Sequence, residues 1–535
     1  MYYNNQIYIG NSDGEKVCIL PKMANRHGLI TGATGTGKTV TLKVLAESFS
    51  DAGVPVFISD IKGDLSGMCR PGTDSADMQE RIRKFGLDEC GFGYKAYPTA
   101  FWDVYGKSGI PVRTTVSEMG PVLLARLMEL TPAQTDVLNI AFKIADDNNL
   151  LLIDTKDLKS MLQYIGDNSA DFAMEYGNIP KQSVTTIIRH IVSLESMGAE
   201  QFFTEPALNI TDWFTQSSSG QGMINVLDCR ELVNNPTMYS VFLLWMMSTL
   251  FDALPEVGDM DKPRMVFFFD EAHLLFGNIS KNLQEKVEQI VKLIRSRGVG
   301  IYFISQSPKD IPDGILSQLG NKIQHALRAY TPADEKALKS VAASFRANPA
   351  FDTKTAISEL GTGEALISVL DEGGIPTMVR KCKILPPQSM PGPISDDDRQ
   401  KEILMNNLYL KYKDATDPES AYEVLQKKNA EDAAEAERLR QEELARKEAE
   451  KQALAAEKAA AKEQERLIRQ SEREAAKRQR AVQSGVKRVA NSAAGTIGRE
   501  IGNNLGKSLG GAFGKKLGGN LGASIGRSIM GTFFR

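Results

Sequence analysis

Residues 32–39, Gly32-Ala33-Thr34-Gly35-Thr36-Gly37-Lys38-Thr39, set three glycines, a lysine and a hydroxyl at fixed spacing. Glycine at 32, 35 and 37 lets the backbone curl until its N–H groups converge on an anion. Lys38 can neutralise the outer phosphates of a nucleoside triphosphate, and the Thr39 hydroxyl can sit on Mg²⁺. ATP and Mg²⁺ are therefore the expected ligands. A second chemical pair closes the apolar run 265–269: Asp270 can hold Mg²⁺ through water, and Glu271 is placed to activate a hydrolytic water as general base. Gln306 ends another apolar run and can sense the γ-phosphate or orient water. Arg295 and Arg297 close a helical stretch. They either complement the helix C-terminus or reach a neighbouring subunit's γ-phosphate. Asp60 and Asp64 have two readings as well: contact with water, the Mg²⁺ shell or a neighbouring subunit, or plain turn and cap chemistry.

Positioning these groups requires a sheet. Residues 26–31 read as a strand entering the glycine loop, and 40–49 as a helix leaving it with Leu42, Leu45, Ala46 and Phe49 on one face. Further strands are expected at 54–60, 222–228, 265–269 and 299–305, then at 323–330, 365–369 and 377–385. Ligands gather at the carboxyl ends of such strands. Two short strands, 6–10 and 17–20, are expected to flank or lid the site. Residues 115–215 have helical spacing throughout and read as an insertion in the sheet, with His190 a helix residue rather than a ligand. Residues 236–250 read as a long apolar helix, 280–297 as an amphipathic one, and Thr331-Pro332 as a helix start. Pro386-Pro387 is expected to close the globular part.

The totals set bounds. The chain has 535 residues, 42% of them hydrophobic, and a formal net charge of −3. It has room for several domains and no global pull towards nucleic acid. Five scattered cysteines without a C-x-x-C pair argue against a disulfide scaffold or structural zinc. No signal peptide and no long uncharged apolar run is visible, so a cytoplasmic protein is expected.

Asp270-Glu271-Ala272-His273 spells the DEAH helicase tetrapeptide, but those enzymes need two ATPase lobes, and the residues between Gln306 and Pro386 carry no second motif set. A single lobe must borrow a neighbour to complete its site. The glycine loop, the late acid-ended strand, and Arg295-Ser296-Arg297-Gly298-Val299-Gly300 leading into Ile304-Ser305-Gln306-Ser307-Pro308 resemble the HerA/FtsK superfamily. Gly361-Thr362-Gly363-Glu364-Ala365-Leu366-Ile367 is similar to a late strand of that group. The resemblance spans about residues 1–390 and is nearest to bacterial HerA-like proteins of the YjgR type. It implies a RecA-like α/β ATPase with a mostly parallel sheet, commonly hexameric, often acting on double-stranded DNA. It also implies Lys38, Thr39, Asp270, Glu271, Gln306 and, in trans, Arg295 as site residues. The archaeal HerA barrel ahead of the ATPase is not expected, because only about 20 residues precede the loop's strand.

The expected domains are an ATPase over 1–390, a linker over 391–418, a charged helix or weak coiled coil over 419–484, and a basic tail over 485–535. Acid-before-base pairs at i,i+4, such as Glu443/Lys447 and Glu465/Arg469, support the helix, which would run about 95–100 Å. Its large apolar residues are too few for a continuous coiled-coil seam. The tail repeats apolar-Gly-x-x from Ile497 to Gly526 and is rich in Lys and Arg. That composition suits anionic lipid at the inner face of the membrane, self-association, or a flexible Gly-rich end. Two functions therefore stand on the sequence: an ATP-driven ring motor on DNA, or an ATP-switched, membrane-tethered scaffold acting on a protein partner.

Overall fold

The computed structural model describes residues 1–485 apart from 259 and 278–280. Among the described residues thirteen strands form one sheet. They are β1 (Tyr2–Tyr3), β2 (Gln6–Ser12), β3 (Glu15–Ile19), β4 (Gly28–Thr31), β5 (Val56–Asp60), β6 (Thr99–Asp103) and β7 (Ile110–Pro111), then β8 (Ile224–Asp228), β9 (Met265–Phe269), β10 (Val299–Ser305), β11 (Asn321–Gln324), β12 (Glu364–Ser368) and β13 (Arg380–Ile384). The order is β1-β2-β13-β12-β11-β4-β10-β9-β5-β8-β6-β7, with β3 on β2. From β11 to β7 the strands run parallel; β12, β13 and β2 add an antiparallel edge. This is the mostly parallel α/β sheet expected from the sequence.

Every residue of β4, β5, β9 and β10 is buried, the pattern of parallel strands covered on both faces. Phe57 on β5 stacks on Trp213 at 4.7 Å and lies 5.3 Å from Phe267 on β9, so an aromatic layer holds the strand ends in line. The glycine loop runs directly into α1 (Lys38–Asp51). After β5 comes α2 (Ala76–Lys84), capped by Ser75. Between β7 and β8 lies the helical insertion: α3 (Val116–Leu127), α4 (Pro132–Asp147), α5 (Thr155–Asp167), α6 (Ser169–Tyr176), α7 (Lys181–Ser196) and α8 (Ala199–Phe202). α3 breaks at Gly120 (φ 72°), before Pro121. His190 lies half-buried on α7 without a hydrogen-bond partner among the described residues. α9 (Pro236–Ala253), α10 (His273–Phe276), α11 (Lys281–Ile294), α12 (Asp313–Leu316), α13 (Pro332–Ala343) and α14 (Thr353–Glu359) complete the helices around the sheet.

Three expectations change. The strand expected over 323–330 ends at Gln324, because the chain then leaves the sheet to run past the glycine loop, where Ala33 N donates to Ala326 O at 2.9 Å. The strands near the N-terminus join the antiparallel edge. β6 has no counterpart among the expected strands; it is short, follows Pro98, and seats Trp102 through a 3.0 Å hydrogen bond to Asn225 Oδ1.

Pro386-Pro387 does not close the globular part, and 391–418 is no free linker. Glu47 on α1, 1% exposed, accepts hydrogen bonds from Gln388 N (2.8 Å), Ser389 N (3.1 Å) and Ser389 Oγ (2.6 Å). Two helices follow, α15 (Asp396–Met405) and α16 (Asn407–Tyr412). The buried Arg399 pairs with Asp228 at 2.9 Å, and the Tyr412 ring meets Trp102 edge-on at 5.9 Å. Each contact lies more than 150 residues away in sequence, so local composition gives no sign of it.

The chain divides into a unit over Met1–Glu431 and one beginning at Asp432. The helix α17 (Ala421–Gly485) starts in the first. In the second its side chains are exposed from 432 to 478, with Glu443–Lys447 and Glu465–Arg469 ion pairs at 2.8 Å each. No helix among the described residues is long and apolar enough to cross a membrane. The repeat from Ile497 lies outside them.

Candidate active site

Thr31 ends β4, and the chain turns at Gly32 (φ 152°). A Cβ at Gly32 would lie 2.5 Å from the Cβ of His325, so the first residue of the loop has no room for a side chain. Gly37 (φ 111°) adopts the left-handed conformation that lets α1 start with its N–H groups facing the loop. The loop is fastened from behind. Thr36 Oγ1 donates to Ala33 O at 2.7 Å, and Gly363 N donates to Thr36 O at 3.0 Å. Thr34 and Gly35 are exposed at the loop's tip. Lys38 Nζ donates to Gly32 O (2.6 Å) and Ala33 O (3.1 Å), which holds the cation across the loop. Burial lowers the Lys38 pKa, and the charges of Glu271 and Asp270 push it back up.

β10 lies between β4 and β9. Ser305 is the register partner of Thr31, and Phe303 that of Phe269. Gly32, Gln306 and Asp270 therefore leave neighbouring strands at the same edge of the sheet. Gln306 is exposed there. Asp270 is fixed through its backbone: its N donates to Ser59 Oγ at 3.0 Å, and Tyr239 Oη sits 3.2 Å from its carbonyl oxygen. Its Oδ1 accepts from Glu271 N at 2.9 Å. Burial, and then the Glu271 charge, pushes the Asp270 carboxyl up to about 6, against the pull of Lys62 and Lys38.

Glu271 has φ 46°, a conformation a non-glycine residue adopts only when its surroundings impose it. The turn brings its carboxylate back over the strand ends. Oε1 lies 3.7 Å from Lys62 Nζ, and Oε2 lies 3.3 Å from His273 Nδ1 without a hydrogen-bonding geometry. An acid held this way can take a proton from a water lying over the loop.

The sequence reading left Lys62 and His325 unassigned. Lys62 follows β5 and faces Glu271. His325 is fully buried behind the loop. Its Nε2 shares a hydrogen with Thr41 Oγ1 at 2.9 Å, and its N donates to Thr31 O at 2.7 Å. Burial lowers its pKa to about 4, so the ring is neutral near pH 7. A lone histidine at a strand end carries no local signal of this.

Asp60 does turn chemistry: its oxygens accept from Gly63 N at 2.7 Å and Leu65 N at 3.1 Å, and burial raises its carboxyl to about 6. Asp64 is half-buried in the same turn. Arg297 is locked within its own subunit, over the Phe251 ring at 4.0 Å and donating to Leu254 O. That removes it as a group reaching into a neighbour. Arg295 has no acidic partner among the described residues; Asn25 Nδ2 holds its carbonyl oxygen at 3.5 Å. It precedes β10, at the opposite end of that strand from Gln306.

This chain is similar to several known proteins over limited stretches. It is 30% identical to a probable helicase of Methanocaldococcus jannaschii over 154 residues, 27% of this chain and 28% of that protein. It is 35% identical to the DNA double-strand break repair helicase HerA of Sulfolobus acidocaldarius over 99 residues, 18% of this chain and 19% of that one. With the HerA helicase of Saccharolobus solfataricus it shares 23% identity over 380 residues, 68% and 66% of the two chains. The chain thus spans less than a third of the first two relatives and about two thirds of the third. Among solved structures, the plasmid coupling protein TrwB with a GTP analogue gives a TM-score of 0.48 at 13% identity, covering 71% of this chain and 90% of that one. VirB4 of Thermoanaerobacter pseudethanolicus gives 0.46 at 16% identity, covering 71% and 96%. The family described as Helicase HerA-like C-terminal matches residues 5–516, and the chain belongs to it.

Proposed function

We propose that the chain is an ATP-hydrolysing motor that assembles as a ring, a hexamer, and acts on double-stranded DNA. The observation that carries the reading is the convergence of the Gly32–Thr39 loop, Gln306 and the Asp270–Glu271 pair at one sheet edge, with Arg295 at the other end of β10. In this reading the loop amides and Lys38 bind the triphosphate, Glu271 takes the proton from water, and Gln306 reads the γ-phosphate. Arg295 completes a neighbour's site. Names of related proteins support DNA as the substrate: each is called a helicase, and two are called DNA double-strand break repair helicases.

Mg²⁺ fits the donors present. Thr39 offers a hydroxyl, and Asp270 keeps Oδ2 free while Oδ1 accepts from Glu271 N. Mg²⁺ is commonly held by one or two protein oxygens together with the substrate's phosphates, the kind of donor set Thr39 and Asp270 offer. When bound, Mg²⁺ neutralises charge developing on the transferred phosphoryl group. The basic Gly-repeat tail would bind anionic lipid or a second copy of itself, keeping a cytoplasmic motor at the membrane's inner face.

The test uses Glu271→Gln, which should bind ATP and fail to hydrolyse it. The variant is expected to retain linear double-stranded DNA only when ATP is present, and to form rings in electron micrographs. ATP-independent DNA retention together with a monomeric ATP-bound protein would overturn the proposal.

A further inference from the structure

The β10 side of the loop carries Gln306, Asp270 and Glu271, and in the proposed reading the γ-phosphate would face that side. A nucleotide is elongated, so one oriented in that way would extend its nucleoside to the other side of β4, towards β11 and β12. There the loop is backed by Gly363, whose N bonds Thr36 O. Gly363 (φ 78°) is overhung by the guanidinium of Arg81: a Cβ built on Gly363 would lie 3.0 Å from Arg81 Nη2. Arg81 is half-buried and has neither an acid nor a carbonyl partner among the described residues. A half-buried guanidinium beside a phosphate loop, with no partner of its own, is poised for a ligand.

One residue further, at Glu364, a cleft of about 400 Å³ opens between the C-terminal end of α2, the start of β12, the end of β13 and the turn between β2 and β3. Asn11, Asp13, Lys84, Phe85, Glu364 and Lys383 line it. That volume falls within the roughly 300–1,000 Å³ of small-molecule sites. Phe85 gives the cleft an apolar wall, and Asn11 and Asp13 offer acceptors at its far end.

We propose that this cleft receives the nucleoside of the bound triphosphate, with the Arg81 guanidinium stacked on the purine face. The proposal rests on the nucleotide reading of the loop and adds to it the residue that distinguishes a nucleotide from bare phosphate. Guanidinium planes stack on base faces as readily as on aromatic side chains. Lys84 and Lys383 flank the cleft where the ribose and α-phosphate would pass; Lys383 faces Glu364 across β12 and β13, and Glu364 also pairs with Lys381 at 3.5 Å.

Calorimetric titration of the full chain with MgATP and with magnesium tripolyphosphate separates the two ends of the ligand. Arg81→Ala should weaken ATP about tenfold and leave tripolyphosphate within about twofold, since only ATP carries a base for the guanidinium to stack on. Arg81→Lys keeps the charge without the plane and should restore little of the ATP affinity. Equal loss for both ligands would make Arg81 a phosphate contact or a support of the fold, and no loss for either would remove it from the site; both overturn the proposal. Lys38→Ala is the control for the loop itself: it should weaken both ligands. If wild type binds neither, the nucleotide reading fails, not the placement of its base.

Discussion

Replacing Arg295 with alanine should leave ATP binding intact and abolish turnover, and the loss should be curable by a different inactive subunit. Arg295 precedes β10, and Gln306 follows it. Seven strand residues at about 3.3 Å each put some 23 Å between the two ends, far beyond an arginine side chain's reach. Arg295 therefore cannot reach its own subunit's nucleotide, and the proposed role is open to it only in trans, at a neighbour's site. An arginine supplied in this way is worth about 10³–10⁵ in rate, so Arg295→Ala should fall to background while its nucleotide affinity stays within about threefold. Glu271→Gln should be equally inactive. In a ring mixed at equal amounts, a site is complete when an Arg295→Ala subunit, which keeps Glu271, meets a Glu271→Gln neighbour, which keeps Arg295. Random assembly makes about a quarter of the interfaces complete, so the mixture should recover about a quarter of wild-type turnover if sites act independently. The assay is phosphate release after mixing and re-annealing the two purified variants. Full activity of Arg295→Ala alone, or no recovery on mixing proteins shown to exchange subunits, would refute the trans assignment.

Gly32→Ala should abolish nucleotide binding, because the new Cβ would lie 2.5 Å from His325 Cβ and 3.1 Å from its Cα, which belongs to the backbone; a fluorescent ATP analogue reads the loss. Glu47→Ala leaves the Gln388 and Ser389 amides without their acceptor and should cost about 3–5 kcal/mol, seen as a lower denaturant midpoint and new proteolysis near residue 388. His325 stays neutral in the folded protein down to about pH 4, whereas the unfolded chain's histidine takes up its proton near 6.5. The unfolded state then binds more protons between those values, so stability is present above pH 6.5 and lost as pH falls towards 4, by about 3 kcal/mol for this residue. His325→Gln should remove that part of the acid sensitivity in urea melts at pH 7.5 and 5, and an unchanged pH slope would refute the buried neutral ring.

The groups the sequence exposed are those with a local pattern. Glycine spacing marks the loop at 32–39, and apolar runs closed by Asp270-Glu271 and Gln306 mark two strand ends. What it hid depends on distant partners. His325 is nearly three hundred residues from the glycine it supports. Lys62 reads as an ordinary turn residue until β5 is placed beside β9. The 388–412 segment has the composition of a linker and is folded by Glu47, Asp228 and Trp102, none of them near in sequence. Asp60 shows the converse: a carboxylate at a strand end suggests catalysis, and the structure gives it two turn amides to hold. Arg295 and Arg297, two positions apart, separate only when Phe251 and Leu254 are seen to hold the second.

The central claim is a motor whose ATP cycle is tied to DNA. The direct measurement is ATP turnover by the full chain with and without linear double-stranded DNA, with Lys38→Ala as the blank. The account predicts strong stimulation by DNA and none in the blank. Turnover that depends on Lys38 but is indifferent to DNA would contradict it, and would favour an ATP-switched scaffold held by its basic tail.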